Sequence, residues 1–365
     1  MKKHIIDGLT FNEDWHNVIE DCDFSPLDKL YEGRKAYYGD YHCHTDSGGT
    51  SDGKMTPESW LKAMKEFKLD FAGIMDHRQV RHMYLDCFDE EYFICGTEPG
   101  GKWNDPELSF HYLMIVPERE ALVRVLEKFP DVYNFTGGIE GTYDYIKVDR
   151  DRFLEVVKAV RDEGGVVVHP HPKQVMKSED PRDYYFGEGS VIEVMYTYDP
   201  PSLANEMTKN NYKLWMDMLS LGYKVINTAT NDSHRQTMLV TMNTVYSAEK
   251  KGRAYMEYLR KGDLNAGFFG IKMSIDDNPV GSSAKYKDGM KLYIKVEDVH
   301  TFRFDRDETY RIDVLSDEGI VYSSVIELPF KVAMEVKDRK FYRAVIIRES
   351  DGAPVAIGNP IWLDK

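Results

Sequence analysis

The stretch Tyr41-His-Cys-His44, followed by Ser51-Asp-Gly53, is the densest chemical feature of the sequence and the starting point for its fold. It closes a run with the pattern of a β-strand. Residues i and i+2 of a strand point to the same side, so His42 and His44 can aim two imidazoles at one point, with Asp52 on the loop beyond. Imidazole and carboxylate groups suit a divalent ion such as Zn, Mn or Fe. The stretch therefore predicts a metal site at the end of a strand.

Similar groups recur along the chain, each near the end of an apolar run. They are Asp76-His77, Glu98, His111, His169-Pro-His171 and Asp232-Ser-His234. A single histidine on an apolar run is usually a packed core residue, but seven of the eleven histidines of this chain fall in these motifs. Their joint occurrence favours one metal cluster over a set of unrelated core histidines.

Residues 37–264 alternate between strand-like and helix-like segments. Pro57 to Lys68 is a predicted helix capped by Thr56, and Asn211 to Leu221 is another, which ends at Gly222. This alternation predicts parallel β/α units. Because the candidate ligands close several of the strands, they fall where a β/α barrel builds its active site.

Residues 265–365 have a different sequence pattern. Period-two alternation and turn signals such as Ser350-Asp-Gly predict a small antiparallel β-sandwich there. Residues 1–36 are predicted to be an N-terminal extension without chemistry. The predicted organisation is therefore an extension, a β/α barrel at 37–264 that carries the metal site, and a sandwich domain.

Composition bears on partners and location. The net charge is −15, and an acidic surface repels phosphate backbones, so duplex nucleic acid is not expected as a partner. No run is long and apolar enough for a membrane span, and residues 1–20 lack a signal-peptide pattern. The four cysteines form no C-x-x-C pair, and Cys43 is expected to face the core, away from the histidines beside it. We therefore expect a cytoplasmic protein without a membrane partner, whose oligomeric state stays open.

Six motifs follow one another in a characteristic order. They are His42-x-His44 with Ser51-Asp-Gly53, Asp76-His77, Gly96-Thr-Glu98, His111, His169-Pro and Asn231-Asp-Ser-His234. This order resembles the PHP (polymerase and histidinol phosphatase) superfamily over residues 38–236. Leu214 to Arg235, together with Ala356-Ile-Gly-Asn-Pro-Ile-Trp in the tail, also resembles the branch of CehA/McbA-like metallohydrolases.

The resemblance implies a distorted (β/α)7 TIM-like barrel that binds two or three divalent ions as cofactors. The first ion would be held by His42, His44, Glu98 and Asp232. Glu98 would bridge to a second ion held by His111 and His169. The third would be held by Asp52, His77 and His234. Asp76 would orient a neighbouring group or cap a strand end.

Two positions depart from the superfamily pattern. The loop between His44 and Asp52 is longer than the compact form, so Asp46 competes with the favoured Asp52 as a ligand. A second histidine, His171, follows His169-Pro. Ligation, substrate contact and a structural role are all open for it.

The hypothesis for the reaction is hydrolysis of a small phosphorylated substrate. Ions a few ångströms apart can share a water and lower its pKa to about 7, and the bridging hydroxide would attack phosphorus in line. No G-x-S-x-G motif of a serine hydrolase is present. The predicted catalytic residues are Asp232, His234, Glu98, Arg235 and His171. The candidate phosphate-binding cations are Arg78, Arg81, Lys173 and Arg235.

Two other functions stay open. The CehA/McbA-like resemblance allows hydrolysis of a non-phosphate ester or carbamate by the same cluster. A non-catalytic protein that binds metal, carbohydrate or a partner is the third possibility, and the complete ligand set argues against it.

Overall fold

The structure is a computed structural model that describes residues 17–105, 107–197, 205–235, 242–297 and 307–364. Over these residues the chain is a mixed α/β protein with sheets of fifteen, four and three strands, which confirms the predicted class. The first sixteen residues of the predicted N-terminal extension lie outside the described part.

Among the described residues up to 267, the chain forms twelve strands and eight α-helices. The strands are β1 (Lys35–Cys43), β2 (Phe71–Ile74), β3 (Phe93–Thr97), β4 (Gly100–Trp103), β5 (Ser109–His111), β6 (Leu113–Val116), β7 (Ile146–Val148), β8 (Val166–His169), β9 (Val191–Tyr196), β10 (Ile226–Thr230), β11 (Asn243–Ser247) and β12 (Leu264–Gly267). The described helices are α1 (Ser25–Leu30), α2 (Pro57–Phe67), α3 (Arg119–Lys128), α4 (Pro130–Tyr133), α5 (Arg150–Asp162), α6 (Pro172–Val175), α7 (Glu206–Ser220) and α8 (Gly252–Lys261).

Seven of these strands are neighbours in the largest sheet, in the order β1-β2-β3-β6-β8-β9-β10. They pair in parallel except for β6, which runs antiparallel to both β3 and β8. The prediction of parallel units throughout is wrong at β6. The hairpin β4–β5 joins β6 to β3, and antiparallel neighbours need no helical crossover. An isolated bridge between Cys43 and Ser233 brings the end of β1 beside the residues that follow β10.

Helix α2 shows how the outer layer fixes a strand end. Thr56 Oγ1 accepts a hydrogen bond from Ser59 N at 3.3 Å and Pro57 occupies the first turn, as predicted. The buried Trp60 donates from Nε1 to the backbone carbonyl oxygen of His44 at 2.9 Å. The helix therefore holds the end of β1, where two candidate ligands lie.

Helix α7 begins earlier than predicted. Asn205 caps it by accepting a hydrogen bond from Thr208 N at 2.7 Å, so the helix starts at Glu206 rather than at Asn211. The polar residues of its first turn concealed the amphipathic pattern. Its end agrees with the prediction, because Gly222 has a φ of +90° that glycine adopts without strain.

The C-terminal part is built mainly from antiparallel strands, as predicted. Its strands are β13 (Gly270–Ile275), β14 (Asn278–Pro279), β15 (Ser283–Lys285), β16 (Lys291–Glu297), β17 (Tyr310–Ser316), β18 (Gly319–Val325), β19 (Phe330–Glu335), β20 (Phe341–Arg348), β21 (Pro354–Gly358) and β22 (Ile361–Asp364). Of these, β15 and β22 pair in parallel. One four-stranded sheet has the order β14-β13-β16-β19. The other strands extend the largest sheet, because β12 pairs with β11 on one side and with β21 on the other.

Two contacts connect the C-terminal part to the candidate site. Asn359 is buried, and its side-chain oxygen accepts hydrogen bonds from the backbone N and from Nδ2 of Asn227 in β10, at 2.7 and 2.8 Å. In α7, Tyr212 lies against the buried Arg343 of β20, whose guanidinium donates to the tyrosine hydroxyl at 2.6 Å. The C-terminal strands thus brace elements of the sheet that carries the candidate ligands.

Two predictions from composition can be compared with the structure. Cys43 packs in an apolar cluster with Trp60 and Ile74, which confirms its predicted core role, and all four cysteines are unpaired. Within the described ranges, none of the helices combines the length and the apolar character that crossing a bilayer requires.

Candidate metal centre

The ends of several strands bring the candidate ligands to one place. In chain order the contributors are His42 and His44 at the end of β1, His77 after β2, Glu98 after β3, His111 in β5, His171 after β8, and Asp232 and His234 after β10. Parallel strands end at the same edge of a sheet, so side chains from distant parts of the sequence meet there.

The first group comprises His42, His44, Glu98 and Asp232, and all four are buried. Nε2 of His42 lies 2.9 Å from Glu98 Oε2, and Nε2 of His44 lies 3.1 Å from the same oxygen. Asp232 Oδ1 lies 3.4 Å from the first nitrogen and 3.1 Å from the second. Bonds of about 2.0–2.1 Å to one ion place tetrahedral or octahedral ligand atoms about 3.0–3.4 Å apart. These four donors therefore fit a single divalent ion.

An orphaned oxygen supports this fit. Asp232 Oδ1 is buried and accepts no hydrogen bond of acceptable geometry from the residues that the structure describes, although two imidazole nitrogens lie beside it. A buried carboxylate oxygen without a hydrogen bond destabilises the fold by about 1–3 kcal/mol or more. Coordination to a cation would satisfy it.

Glu98 contributes to two groups through its two oxygens. Its Oε2 faces the first group, whereas Oε1 lies 2.8 Å from His111 Nδ1 and 3.1 Å from His171 Nε2. Glu98, His111 and His171 form the second group. A carboxylate has one oxygen for each of two ions, so the structure places Glu98 where a bridging ligand would lie.

His171, rather than the predicted His169, completes the second group. The ring of His169 is stacked on Phe186 with 4.2 Å between centroids, and its Nδ1 donates to the carbonyl oxygen of Tyr184 at 3.2 Å. Burial lowers the pKa of His169 to about 3, as expected for a neutral core residue. The sequence has two His-Pro dipeptides here, and this pattern alone does not indicate which of the two histidines faces the cluster.

Alanine substitutions at these two histidines are expected to have different effects. His171→Ala should weaken metal binding by more than about 100-fold, because the loss of a ligand exceeds the 10–100-fold effect of an outer group. His169→Ala should leave metal affinity near that of the wild type and destabilise the fold by about 2 kcal/mol or more, because it leaves a cavity beside Phe186. Calorimetric titration with Mn²⁺ and thermal unfolding measure the two effects. The reverse pattern would restore His169 as the ligand.

The third group lies at the outer edge of the cluster and contains Asp52, His77 and His234 beside His44. Nε2 of His234 lies 3.1 Å from Asp52 Oδ1, and Nε2 of His77 lies 3.7 Å from that oxygen. Hydrogen bonding to His234 outweighs desolvation and lowers the pKa of Asp52 to about 2. The favoured Asp52 thus lies beside its predicted partners, although it is exposed like the competing Asp46.

Charges in the first group control one another's protonation. Burial alone would lower the pKa of His42, but the carboxylates around it, chiefly that of Glu98, raise it well above its usual value. Burial likewise opposes the charge of His44, yet contacts with Asp232 and Glu98 raise its pKa to about 10. The pKa values of these two carboxyls are lowered despite their burial because imidazoles surround them. A bound cation would replace the protons on the imidazoles and neutralise the buried carboxylates.

Three non-glycine residues of the site adopt left-handed backbone angles. They are Arg78, His171 and Asp232, with φ of +50°, +28° and +49°. Such angles are unfavourable by about 1–3 kcal/mol each and persist only where neighbours hold them. The turn at Asp232 is held by the buried Asp40, whose Oδ2 accepts hydrogen bonds from Asn231 N at 2.9 Å and Asn231 Nδ2 at 2.8 Å.

The predicted orienting role of Asp76 applies to the loop after β1. Its carboxylate accepts hydrogen bonds from Thr45 N at 2.7 Å and from Thr45 Oγ1 at 2.6 Å. Thr45 directly follows His44, so this contact fixes the backbone next to a candidate ligand.

Two residues of β9 support the cluster and were not predicted. Glu193 Oε1 lies 2.9 Å from His42 Nδ1, and Oε2 accepts a hydrogen bond from the backbone N of His171 at 2.8 Å. The hydroxyl of Tyr196 donates to Asp232 Oδ2 at 3.1 Å. The available signal was a glutamate inside an otherwise apolar strand, since carboxylates are rarely buried without a partner.

Two of the four candidate phosphate-binding cations are engaged elsewhere. Arg81 pairs with Glu140, and Lys173 Nζ donates to the carbonyl oxygen of Ser178 at 2.7 Å. The guanidinium groups of Arg78 and Arg235 make no hydrogen bond or ion pair within the described part of the chain.

Comparison by sequence gives no relative, since no family model and no curated protein matches this chain. Solved structures do show similarity. One is a two-domain protein from Bacteroides vulgatus that contains a predicted PHP-like metal-dependent phosphoesterase, with 13% identity, 91% of this chain and 95% of that chain covered, and a TM-score of 0.43. This similarity is thus to a protein with a predicted PHP-like phosphoesterase and not to a CehA/McbA-like metallohydrolase.

Two further similar structures are of Endonuclease Q. The lesion-specific enzyme from Pyrococcus furiosus has 13% identity, with 61% of this chain and 56% of that chain covered and a TM-score of 0.39. Endonuclease Q in complex with a 27-mer duplex substrate carrying an abasic lesion has 14% identity, with 62% and 57% covered and a TM-score of 0.41.

The duplex complex corrects one expectation. Exclusion of duplex nucleic acid from the net charge of −15 was wrong, because a structure similar to this chain holds a duplex at its active site. Net charge sums over the whole surface, whereas binding depends on the local field, to which metal ions add positive charge.

Proposed function

We propose that this protein is a metal-dependent hydrolase that cleaves phosphoester bonds, with two or three divalent ions, Zn, Mn or Fe, as cofactors. The observation that carries the proposal is the position of Glu98. Its two oxygens face two separate pairs of imidazole nitrogens at 2.8 to 3.1 Å. Ions held by these two pairs would suit phosphoryl transfer, because they would supply positive charge for the attacking and the leaving oxygens.

The proposal includes the fold that would carry this site. The seven strands from β1 to β10 and the bridge between Cys43 and Ser233 support a distorted (β/α)7 barrel over residues 37–264. The antiparallel strands that follow support a sandwich domain over residues 265–365. The boundary falls within β12, whose pairing with β21 makes the two units share one sheet.

Each group of side chains has a separate task in this proposal. Bound divalent ions supply Lewis acidity and lower the pKa of a water to about 7. The first and second groups would hold one ion each, and the shared carboxylate of Glu98 would set their separation. Asp52, His77 and His234 would hold a third ion on the outer side, where the side chains are more exposed. Tyr196 keeps Asp232 oriented through its hydroxyl.

Arg78 and Arg235 would bind the non-bridging oxygens of the phosphoester. Each follows a candidate ligand directly, since Arg78 succeeds His77 and Arg235 succeeds His234. Guanidinium groups match phosphate oxygens in shape and charge. Their position beside the outer group favours a phosphoester over a neutral ester.

A substrate panel tests this reaction class. It comprises p-nitrophenyl phosphate, bis(p-nitrophenyl) phosphate, a duplex oligonucleotide with an abasic site, p-nitrophenyl acetate and an aryl carbamate. The proposal predicts turnover of at least one phosphoester that a chelator abolishes and added metal restores. Turnover of the acetate or carbamate alone would favour the CehA/McbA-like alternative. Bound metal without any turnover would favour a binding protein.

Metal binding is expected to release protons and to depend on pH. Near neutral pH the metal-free site holds His44 protonated, because its pKa is raised from 6.5 to about 10. Metals bind neutral imidazole, so each binding event must displace protons, and affinity should increase as pH rises towards about 10. Titration calorimetry in buffers of different ionisation enthalpy measures the released protons. A binding enthalpy that is the same in all buffers would contradict this expectation.

The stability of the metal-free protein should follow the opposite trend. A histidine whose folded pKa lies above its unfolded value stabilises the fold fully below the unfolded pKa, here 6.5, and loses that contribution as pH rises through about 10. We expect the temperature midpoint of unfolding, measured in the presence of a chelator, to decrease as the pH is raised from 6.5 to about 10. The metal-loaded protein, whose imidazoles are already neutral, should not show this decrease.

A further inference from the structure

Glu193 connects the first and second groups from the side away from Glu98. Its Oε1 lies 2.9 Å from Nδ1 of His42, a member of the first group. Its Oε2 accepts a hydrogen bond from the backbone N of His171, a member of the second group, at 2.8 Å. The side chain is only 1% exposed, so water does not replace either contact. One carboxylate thus binds one candidate ligand of each group.

The contact with His42 determines which ring nitrogen faces the cluster. An ionised carboxylate only accepts hydrogen bonds, so Nδ1 of His42 carries a proton. In the neutral imidazole that binds a metal, the lone pair is then on Nε2, the nitrogen that lies 2.9 Å from Glu98 Oε2. Metal-bound histidines are commonly fixed in this way by a carboxylate on the other nitrogen.

The contact with His171 holds an unfavourable backbone. His171 has φ of +28° and ψ of 55°, and a non-glycine residue in such a conformation is unfavourable by about 1–3 kcal/mol. The hydrogen bond from its backbone N to Glu193 opposes relaxation of that turn. This backbone conformation places Nε2 of His171 3.1 Å from Glu98 Oε1.

We propose that Glu193 is a positioning residue that fixes the ligands of the two ion sites relative to each other, a role that rests on the proposed function. It contacts one ligand of each site and is not among the candidate ligands of either. It fixes the tautomer of one ligand and the backbone of the other. Both sites therefore depend on one carboxylate that lies outside them.

Glu193→Gln tests this role with little change in shape. A glutamine amide places a donating NH2 where one of the two carboxylate oxygens lies, so it cannot accept both at the Oε1 position facing Nδ1–H of His42 and at the Oε2 position facing N–H of His171. We expect the affinity for Mn²⁺ to fall about 10–100-fold at both sites, as is typical for outer partners of metal ligands. The matched control is Glu188→Gln, an exposed glutamate just before the same strand, which should bind Mn²⁺ like the wild type.

Two further readouts keep the test independent of folding. The metal-free variant should unfold at nearly the wild-type temperature. In the Zn²⁺-loaded wild type, nitrogen-15 NMR of labelled histidines should show His42 with its proton on Nδ1. A folded Glu193→Gln variant with unchanged Mn²⁺ affinity, or a wild-type His42 with its proton on Nε2, would overturn the proposal.

These outcomes are distinguishable from failure of the proposed function. Wild-type protein that binds ions but hydrolyses no phosphoester would contradict the proposed function and would leave the proposed role of Glu193 standing. Unchanged metal affinity in the variant would end only the role of Glu193. Wild-type protein that binds no ion would end both.

Discussion

Glu98→Gln is expected to weaken two ion sites at once and to lower phosphoester hydrolysis by about 1,000-fold or more, equivalent to roughly 4 kcal/mol of transition-state stabilisation. Glutamine keeps the shape but has only one accepting oxygen and no charge. Oε2 faces His42 and His44, whereas Oε1 faces His111 and His171, so both pairs of imidazoles lose this anion. Asp232 remains beside the first pair, at 3.1 to 3.4 Å. Elemental analysis together with steady-state kinetics measures both effects.

The matched control for this substitution is Glu155→Gln on the exposed face of α5. Its pair with Arg152 is exposed to solvent, and such pairs contribute about 0–1 kcal/mol, so metal content and activity should match the wild type. Loss of only one ion in Glu98→Gln would remove the bridging role. Full metal content with full activity would remove Glu98 from the site altogether.

Asp232→Asn is expected to lower hydrolysis by a similar factor, about 1,000-fold, but to affect one ion site only. Asp232 Oδ1 lies 3.4 Å from His42 Nε2 and 3.1 Å from His44 Nε2. Asp232 is not a member of the second group, although its Oδ2 lies 4.0 Å from His171 Nε2. The first site should therefore weaken while the site formed with His111 and His171 stays occupied. Competition of each variant with a metal-sensitive dye resolves the two affinities.

An exposed aspartate of α7 provides the control for this variant. Asp217 forms a surface pair with Lys213 at 2.6 Å, and Asp217→Asn should change neither affinity nor rate. Loss of both ions in Asp232→Asn, or activity equal to the wild type, would be inconsistent with separate groups that share only Glu98.

Local patterns in the sequence were sufficient to predict the β1 end of the site. The period of two in a strand places His42 and His44 on one side, and the structure brings both nitrogens to the same oxygen of Glu98. The same rule predicts that Cys43 faces the side opposite to the two histidines, and its apolar surroundings confirm this. Capping by Thr56 was also predicted, because a cap depends on residues only three positions apart.

Long-range and conformational features were outside the reach of sequence patterns. The direction of β6 depends on a hairpin that packs against β7, a contact between distant segments. The choice of His171 over His169 depends on a left-handed turn, and nothing in a His-Pro-His-Pro sequence predicts such a turn. Glu193 was missed because its partners, His42 and His171, come from other strands and only tertiary structure joins them.

The most direct test of the central claim is a titration of chelator-stripped protein with Mn²⁺ while bound metal and phosphoester hydrolysis are followed together. The proposed function predicts that activity appears only after more than one ion is bound per chain and reaches its maximum at two or three. Full activity in the presence of the chelator, or fewer than one bound ion with no restored hydrolysis, would contradict it.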